Sequence, residues 1–377
     1  MTNETDKEGE MMKKGKAYVP FRFKMRPIKK MAMFHFHKNP DTEYEAFEFH
    51  YIDGEPYGKG FRVLAWRTDG YRDSYVQDTL NLTEEEDIFS IGGKGLKERH
   101  VVPFDEAYFE HVDGQLNAGF VFNDKLDRRT VMYVDERIDK DSTPLTWLPS
   151  VGNHLAEPHS MPLFFLYNFD FARKRDTDIF LSIDGEMIDV DPFAFPKDFQ
   201  ARYYVEFSTN TVVSNFNEAG RYTLEHVEID ENGIAEGDEN TYLYETSNDL
   251  YKLKKITVNH DTHPIDLEFE PAFPNHREVM DAKPMYGEFK IRPTGDAGTL
   301  KGKYNVVYQQ GKAIINLSFP DSWNTPKGAN LERVVNSMTP NIKSWYRTYQ
   351  CTQIVNLEDM DTTIRWKRVD PDRRTRY

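Results

Sequence analysis

Large apolar and polar side chains alternate along most of this chain, with a dominant period of two. That period is typical of half-buried β-strands, because successive side chains of a strand point to opposite faces of its sheet. The clearest alternating runs are residues 47–51, 119–122, 129–134, 202–207, 242–244, 265–269, 286–291, 304–308, 313–317 and 345–349. The pattern therefore predicts an all-β protein.

Turn-forming residue pairs separate the alternating runs and favour antiparallel hairpins. A residue followed by glycine supplies the positive φ angles that tight turns need. Such pairs start at Asp53, Asp69, Asp113, Asp184, Asn232 and Gln310. Helix signals are few: the sequence predicts one helix at residues 328–338 and a shorter one near 83–89, where Thr83 begins a capping box.

Chain length and a faint internal similarity predict two β units, each a barrel or a sandwich. A chain of 377 residues exceeds one ordinary core. The segments starting Gly114-Gln-Leu and Gly298-Thr-Leu share a hairpin pattern, and each is followed by a second β-rich run and a tryptophan. We predict a disordered tail at residues 1–16, an N-terminal β domain at 17–160 and a C-terminal β domain at 161–377.

Composition narrows the classes of function. The aromatic fraction of 14% compensates for a hydrophobic fraction of only 38%. A formal net charge of −15 argues against general binding to nucleic acid or anionic membranes, although a local basic patch is compatible with it. A single cysteine, Cys351, allows no internal disulfide, and no apolar stretch is long enough to span a bilayer. We expect a cytoplasmic protein without a membrane span.

No short motif fixes a reaction. P-loop, dinucleotide-binding, zinc-protease and serine-hydrolase signatures are all missing from the sequence, so we expect no nucleotide cofactor. His35 and His37 share one face of a predicted strand, which is a spacing that a metal site uses. No single cluster supplies the three or four ligands that a metal needs, and we therefore predict no metal.

Carboxylates that alternate with apolar residues are the first candidates for acid–base chemistry. Asp266, Glu268 and Glu270 share one face of a predicted strand. Either this face meets solvent, or it lines a lumen where burial shifts a carboxyl pKa upward. For the second case we predict Asp266 or Glu268 as proton donor, with His260 or His263 as base or orienting group.

Aromatic residues suggest a ligand pocket. The chain has 21 tyrosines, and a buried tyrosine hydroxyl needs a hydrogen-bond partner, so tyrosine suits walls that meet both apolar surface and water or ligand. We predict that the pocket is lined by Tyr203, Tyr286, Tyr304 and Trp345. Core packing accounts for many of the other rings.

Some of these segments resemble a known family. The strand Ile265-Asp-Leu-Glu-Phe-Glu-Pro, the later Tyr286-Gly-Glu-Phe, and the hairpin pattern at Gly114 and Gly298 are similar to the lipocalin-like hydroxyneurosporene synthase/AttH group. The resemblance covers about half of the chain and implies two lipocalin-like barrels of the calycin type. It also implies a hydrophobic pocket and cofactor-free chemistry on terpenoid-like or polyketide-like substrates, but it places no catalytic acid on a position here.

Three functions remain open from the sequence. The first is binding of a hydrophobic or aromatic small molecule, with cofactor-free hydratase, isomerase or cyclase chemistry as an extension. The second is a carbohydrate-active or carbohydrate-binding β protein, with an open cleft and exposed ring faces. The third is a non-enzymatic ligand carrier. The sequence does not predict the oligomeric state.

Overall fold

The computed structural model describes residues 15–87, 91–138, 145–149, 155–193, 201–248, 250–276, 283–295, 297–321, 323–324 and 345–369. These ranges form strands β1 (Gly15–Tyr18), β2 (Phe23–Arg26), β3 (Ile28–His35), β4 (Tyr44–Gly54), β5 (Gly58–Arg67), β6 (Arg72–Gln77), β7 (Leu96–Val102), β8 (Glu106–Val112), β9 (Gln115–Asn123), β10 (Arg129–Glu136), β11 (Leu145–Trp147), β12 (Met161–Arg173), β13 (Thr177–Ile183), β14 (Glu186–Met187), β15 (Arg202–Phe216), β16 (Gly220–Thr223), β17 (His226–Ile229), β18 (Ile234–Glu236), β19 (Asn240–Ser247), β20 (Leu250–Val258), β21 (Ile265–Phe273), β22 (Met285–Pro293), β23 (Leu300–Gln309), β24 (Lys312–Ser318), β25 (Tyr349–Asn356) and β26 (Asp361–Arg368). The all-β prediction is confirmed.

The strands form four sheets, and in the described ranges none closes into a barrel. A barrel needs hydrogen bonds between its first and last strands, whereas each sheet here runs between two separate edge strands. The predicted barrel form is therefore corrected to open sheets. Nearly all neighbouring strands are antiparallel, and β6 and β7 form a parallel pair.

The chain divides into two compact units. Within the described ranges, unit 1 holds residues up to Lys24, Phe216–Asn324 and Tyr346–Val369, and unit 2 holds Met25–Asn215 and Trp345. The predicted boundary at 160/161 lies inside unit 2, where β11 pairs with β12. The first strand also departs from the prediction, because Gly15 and Lys16 pair with β17 in unit 1 instead of forming part of a tail. Residues 1–14 lie outside the described ranges.

Unit 2 packs two sheets against one core. Its larger sheet has the order β11-β12-β15-β3-β4-β5-β6-β7, with β2 on β15, and its smaller sheet has the order β14-β13-β10-β9-β8. The core contains buried side chains of both sheets, among them Phe47 and Phe49 from the larger and Phe120 and Met132 from the smaller. Edge-to-face contact of Phe47 with Phe120 joins the two layers.

Unit 1 contains a ten-stranded antiparallel sheet of order β16-β26-β25-β24-β23-β22-β21-β20-β19-β18, and β1 and β17 form a separate pair. Burial alternates along several of its strands: in β23, Leu300, Gly302, Tyr304 and Val306 are buried, and the residues between them are more exposed. We call the buried side the inner face and the other side the outer face. The alternation follows from the two-residue period of the pleat.

Two local predictions have different outcomes. The short helix near Thr83 is confirmed as α1 (Glu84–Asp87), with its reciprocal capping box: the Glu86 amide donates to the Thr83 hydroxyl (3.3 Å) and the Thr83 amide to Glu86 Oε2 (3.2 Å). The strand predicted at residues 345–349 is wrong, because Tyr346–Thr348 form a 3-10 turn before β25. The helix predicted at 328–338 lies outside the described residues.

Among the residues that the structure describes, no helix combines the length and the apolar character needed to cross a bilayer.

Candidate functional site

The carboxylates predicted as catalytic lie on the outer face of the unit 1 sheet. Asp266 accepts a hydrogen bond from the Thr257 hydroxyl (2.7 Å), and its Oδ1 is 3.5 Å from Lys255 Nζ. Glu268 Oε2 is 3.9 Å from Arg292 on β22. Each acid is thus half exposed and has a basic neighbour on an adjacent strand, which is typical of a solvated sheet face.

The histidines predicted to assist them lie in the loop before β21. The described contacts of His260 and His263 stay within this loop. His260 Nδ1 accepts hydrogen bonds from the Thr262 and His263 amides (3.3 and 3.2 Å), and His263 Nδ1 is 2.8 Å from the Thr262 hydroxyl. Partial burial lowers the pKa of His263.

The four predicted pocket residues are divided between the units. Tyr203 packs against the core of unit 2, and Trp345, also in unit 2, is buried. Tyr286 and Tyr304 belong to unit 1 and border the same groove, but on opposite faces of the sheet. Tyr286 is 67% exposed, whereas Tyr304 is buried and donates its hydroxyl to the Pro271 carbonyl (2.9 Å).

That groove has a volume of about 670 Å³. It runs across β22, β23, β24 and β25, perpendicular to the strands. The residues that line it are Tyr286, Gly287, Glu288, Lys303, Tyr304, Asn305, Asn316, Leu317, Ser318, Gln350, Cys351 and Thr352. Its volume lies within the range of about 300–1,000 Å³ typical of small-ligand sites.

One row of side chains forms the centre of the groove, and we call Tyr286, Asn305, Asn316 and Thr352 the amide row. Strand register places the four directly beside one another on neighbouring strands. The Thr352 hydroxyl donates to Asn316 Oδ1 (3.0 Å), and Asn316 Nδ2 donates to Asn305 Oδ1 (2.9 Å). These bonds orient both amides in one direction, so their remaining donors and acceptors have fixed positions.

A second row lies beside the first and carries the charges of the groove. It consists of Glu288, Lys303, Ser318 and Gln350, which are again paired in register on β22 to β25. Lys303 Nζ is 3.7 Å from Glu288 Oε1, and both side chains are about 60% exposed. A pair so exposed to water contributes little to stability, and it leaves both groups accessible to a ligand.

Glycine–aromatic pairs support the groove from the inner face. Gly287 lies opposite Tyr304 and Gly302 lies opposite Phe289. A Cβ atom on Gly287 would come 2.4 Å from the Tyr304 ring, and one on Gly302 would come 2.0 Å from the Phe289 ring. The two rings therefore lie flat over the backbone of β22 and β23 and fill the space under the groove.

Unit 1 also has a small apolar cavity, lined on the inner face by residues such as Tyr244, Phe273 and Ile315. Its volume is about 50 Å³. Small-ligand sites occupy about 300–1,000 Å³, so this cavity is too small for a ring-bearing ligand. Aromatic side chains fill the surrounding space themselves.

In unit 2, His35 ends β3 and His37 lies in the turn that follows, so the pair does not share a strand as the sequence predicts, but the two rings are in contact. His35 Nδ1 is 3.0 Å from His37 Nε2. His35 Nε2 is 3.6 Å from Glu206 Oε1, and His37 Nδ1 is 3.6 Å from Glu45 Oε2. The Tyr204 ring stacks on the His35 ring at 3.7 Å and fixes its plane. The four groups form a line from one carboxylate to the other.

The hydrogen-bond pattern of this line couples the two imidazoles. Only one proton fits between His35 Nδ1 and His37 Nε2. In the neutral rings, the ring that holds this proton has an unprotonated outer nitrogen, and the other ring carries its proton on the outer nitrogen. Burial lowers the pKa of His37, and neighbouring His35 lowers it further. His37 is therefore predominantly neutral at pH 7, and its side chain is 36% exposed.

Neither this histidine pair nor the other described histidines belong to a metal-binding cluster. Among the described residues, no group of three or more His, Cys, Asp or Glu side chains is arranged to hold a metal ion.

The residues that form the amide row were missed by sequence reasoning. Asn305, Asn316 and Thr352 are separated by 11 and 36 positions, and no motif connects them. Their one signal is local: each is a neutral polar residue on the outer face of a strand. Only the pairing of β23, β24 and β25 brings them together.

Comparison with known proteins gives no guide to function. No family model matches the chain, and neither a curated protein nor a solved structure matches it.

Proposed function

We propose that unit 1 binds carbohydrate in the groove on the outer face of its sheet. The observation that carries the proposal is the amide row, in which two oriented amides and a hydroxyl lie beside an exposed tyrosine ring. This is the second of the functions that the sequence leaves open.

The hydroxyl groups and the apolar face of a sugar ring both have complementary groups on this surface. Its hydroxyls both donate and accept hydrogen bonds, and amide side chains supply both partners in one plane. Because Asn305 and Asn316 are already oriented by their own hydrogen bond, less side-chain entropy is lost on binding. The exposed face of Tyr286 provides an apolar platform for the C–H side of a sugar ring.

The groove supports binding in preference to hydrolysis. Glycoside hydrolases generally use two carboxylates that flank the scissile bond, about 5–9.5 Å apart. Glu288 is the one carboxylate among the residues that line the groove, and Lys303 lies beside it. The residues that line the groove therefore do not include a pair of carboxylates of this kind.

Calorimetric titration of the protein with neutral oligosaccharides tests the proposal. We expect Tyr286→Ala to weaken binding about 3- to 10-fold, because an aromatic contact contributes about 0.5–1.5 kcal/mol. Asn316→Ala should weaken it about 10-fold through lost hydrogen bonds. Tyr133→Ala, which removes an exposed tyrosine from unit 2, is the matched control. Absence of saturable binding to any oligosaccharide would refute the proposal.

A second candidate function belongs to unit 2 and retains the acid–base chemistry that the sequence suggests. The supporting observation is the line Glu206–His35–His37–Glu45, in which a proton accepted by neutral His37 can pass to His35 beside Glu206. Such a pair suits removal and return of a proton on a neutral or cationic small molecule, because two carboxylates repel anions.

Nitrogen-15 NMR of the histidine rings tests this second candidate. We expect Glu206→Gln to change the titration curve of His37, although Glu206 contacts His35, because the two rings share one proton. Asp105→Asn, at an exposed carboxylate that pairs with Arg129, should leave the His37 curve unchanged. A His37 curve that does not respond to Glu206→Gln would eliminate the relay.

A further inference from the structure

We infer that the carbohydrate bound in the groove is an acidic glycan, one that carries uronate or sulfate groups. The inference rests on the proposed function and specifies its ligand class. It starts from the charges on the outer face of β22 to β26, which oppose the net charge of the chain.

The charges around the groove are mostly positive. Strand register extends the amide row to Arg365 and the second row to Lys367, both on β26 and both exposed. Lys303 lies in the second row, and the next row holds Lys290 and Lys301. Within these three rows of β22–β26 there are five cations and one carboxylate, Glu288, in a chain whose formal net charge is −15.

The acids of this sheet are concentrated one strand further away. Asp266, Glu268 and Glu270 lie on β21, and each has a basic neighbour on β20 or β22: Lys255 at 3.5 Å, Arg292 at 3.9 Å and Lys254 at 3.4 Å, respectively. Their charges are therefore largely compensated by these neighbours. The cations of β23 and β26 have no such set of acids on β24 and β25, where the described outer-face side chains of the two groove rows are neutral.

Geometry places the cations at both ends of the neutral floor. Lys303 on β23 is three strands away from Arg365 and Lys367 on β26, which corresponds to roughly 14 Å. A ligand that lies along the second row therefore meets Lys303 and Lys367 with the neutral Ser318 and Gln350 between them, and the amide row beside it ends at Arg365. An oligosaccharide whose negative charges are separated by uncharged hydroxyls has this pattern.

A nucleic acid fits the same surface less well. Single-stranded binders stack successive bases on several aromatic side chains, whereas Tyr286 is the one exposed ring among the residues that line the groove. A phosphate at every nucleotide would also feel the excess negative charge of the chain more strongly than a sparsely charged glycan does.

The test uses the full-length protein and three ligands of matched length: a neutral oligosaccharide, a uronate-bearing oligosaccharide and a single-stranded oligonucleotide. Affinities are measured at low salt and at 0.5 M salt. We expect the acidic glycan to bind roughly tenfold more tightly than the neutral one at low salt, and the preference to shrink at high salt because exposed charges are screened.

Variants separate the acidic preference from binding itself. Lys303→Gln and the double variant Arg365→Gln/Lys367→Gln should each reduce the preference for the acidic glycan. The double variant changes residues outside the groove lining and should leave the affinity for the neutral glycan within about twofold. The matched control is Lys312→Gln, on β24 of the same sheet but four residues, or roughly 13 Å, from Asn316. It should change neither affinity.

The possible outcomes are distinct. Equal binding of the neutral and acidic oligosaccharides would overturn the inference and leave the proposed carbohydrate function intact. Tightest binding of the oligonucleotide would replace the glycan with a nucleic acid, and binding of none of the three would reject both the inference and the proposed function.

Discussion

Buried charges in unit 2 are arranged so that each has an opposite charge or a hydrogen-bond partner. Arg62 is fully buried and donates to Asp87 Oδ1 at 2.6 Å and to His50 Nδ1 at 2.8 Å. Arginine only donates, so His50 Nδ1 accepts and the imidazole proton lies on Nε2, 2.8 Å from Glu48. Burial and then Arg62 lower the pKa of His50, which keeps this ring neutral.

The carboxylate of Asp87 holds this arrangement together from the short helix α1. Its Oδ2 is 3.2 Å from Arg99, so one carboxylate faces two guanidinium groups inside the protein. We expect Asp87→Asn to destabilise unit 2 by about 3–5 kcal/mol, because buried positive charge would lose its compensation. Urea unfolding gives the value directly.

Glu85→Gln is the matched control for this substitution, since Glu85 is an exposed carboxylate of the same helix. It should change the free energy of unfolding by less than about 0.5 kcal/mol. Equal changes in the free energy of unfolding for Asp87→Asn and Glu85→Gln would contradict a special role for the ion pairs of Asp87 with Arg62 and Arg99.

At the scale of elements, the clearest alternating runs predicted nine of the described strands, because at least one face of each of these strands is buried. The pattern failed at residues 345–349, where Trp345, Tyr346, Thr348 and Tyr349 are all buried, although Tyr346–Thr348 form a 3-10 turn. Aromatic residues at such a turn mimic a strand in sequence. Pairing between strands was not predicted, because register depends on contacts between distant segments.

The tyrosine excess has a partial explanation in the same elements. Tyr304 covers Gly287 across β22 and β23, and its hydroxyl finds a partner in the Pro271 carbonyl. Burial raises the pKa of Tyr304, which therefore stays protonated and can donate. This tyrosine is part of the sheet's packing, so a count of tyrosines did not by itself indicate a pocket.

The close contact of Gly302 on β23 with the Phe289 ring provides a prediction about stability. We expect Gly302→Ala to cost about 1–3 kcal/mol of unfolding free energy, since the new Cβ would overlap the Phe289 ring. Adding Phe289→Leu should recover part of the loss, because leucine can move away from that space. Denaturant unfolding of the single and double variants checks both statements, and Lys301→Ala, on the exposed side of β23, is the control. A neutral Gly302→Ala would contradict the packing argument.

For the whole molecule, histidines that are wholly or partly shielded from water link the free energy of unfolding to pH. Burial is the largest cause of a lowered pKa in His37, His50 and His111 of unit 2 and in His263 of unit 1. When the folded pKa lies below the unfolded value of 6.5, the unfolded chain binds more protons in the interval between them. These groups therefore cost stability progressively as the pH falls below about 6.5. Buried Glu136, whose pKa is raised by desolvation, acts in the opposite direction at lower pH.

We expect the thermal midpoint to fall by a few degrees when the pH is lowered from 7.5 to 5.5. Because three of the four histidines lie in unit 2, that unit should lose more stability than unit 1. Thermal unfolding followed by circular dichroism at several pH values measures the midpoint. Hydrogen exchange shows which unit loses stability. His37→Gln with His111→Gln should flatten the pH dependence. A midpoint that rises on acidification would show that the sign is wrong.

The sequence by itself determined the fold class and the most clearly alternating strands, because alternation and turn chemistry are local properties of the chain. It left open whether the acidic face of β21 meets solvent or lines a lumen. It also allowed both a carbohydrate-binding protein and a local basic patch. Only the tertiary structure decided that the sheets are open and that the predicted pocket residues divide between two units. The groove itself required strand pairing, since Asn305, Asn316, Thr352 and Arg365 become neighbours only when β23 to β26 hydrogen-bond in register.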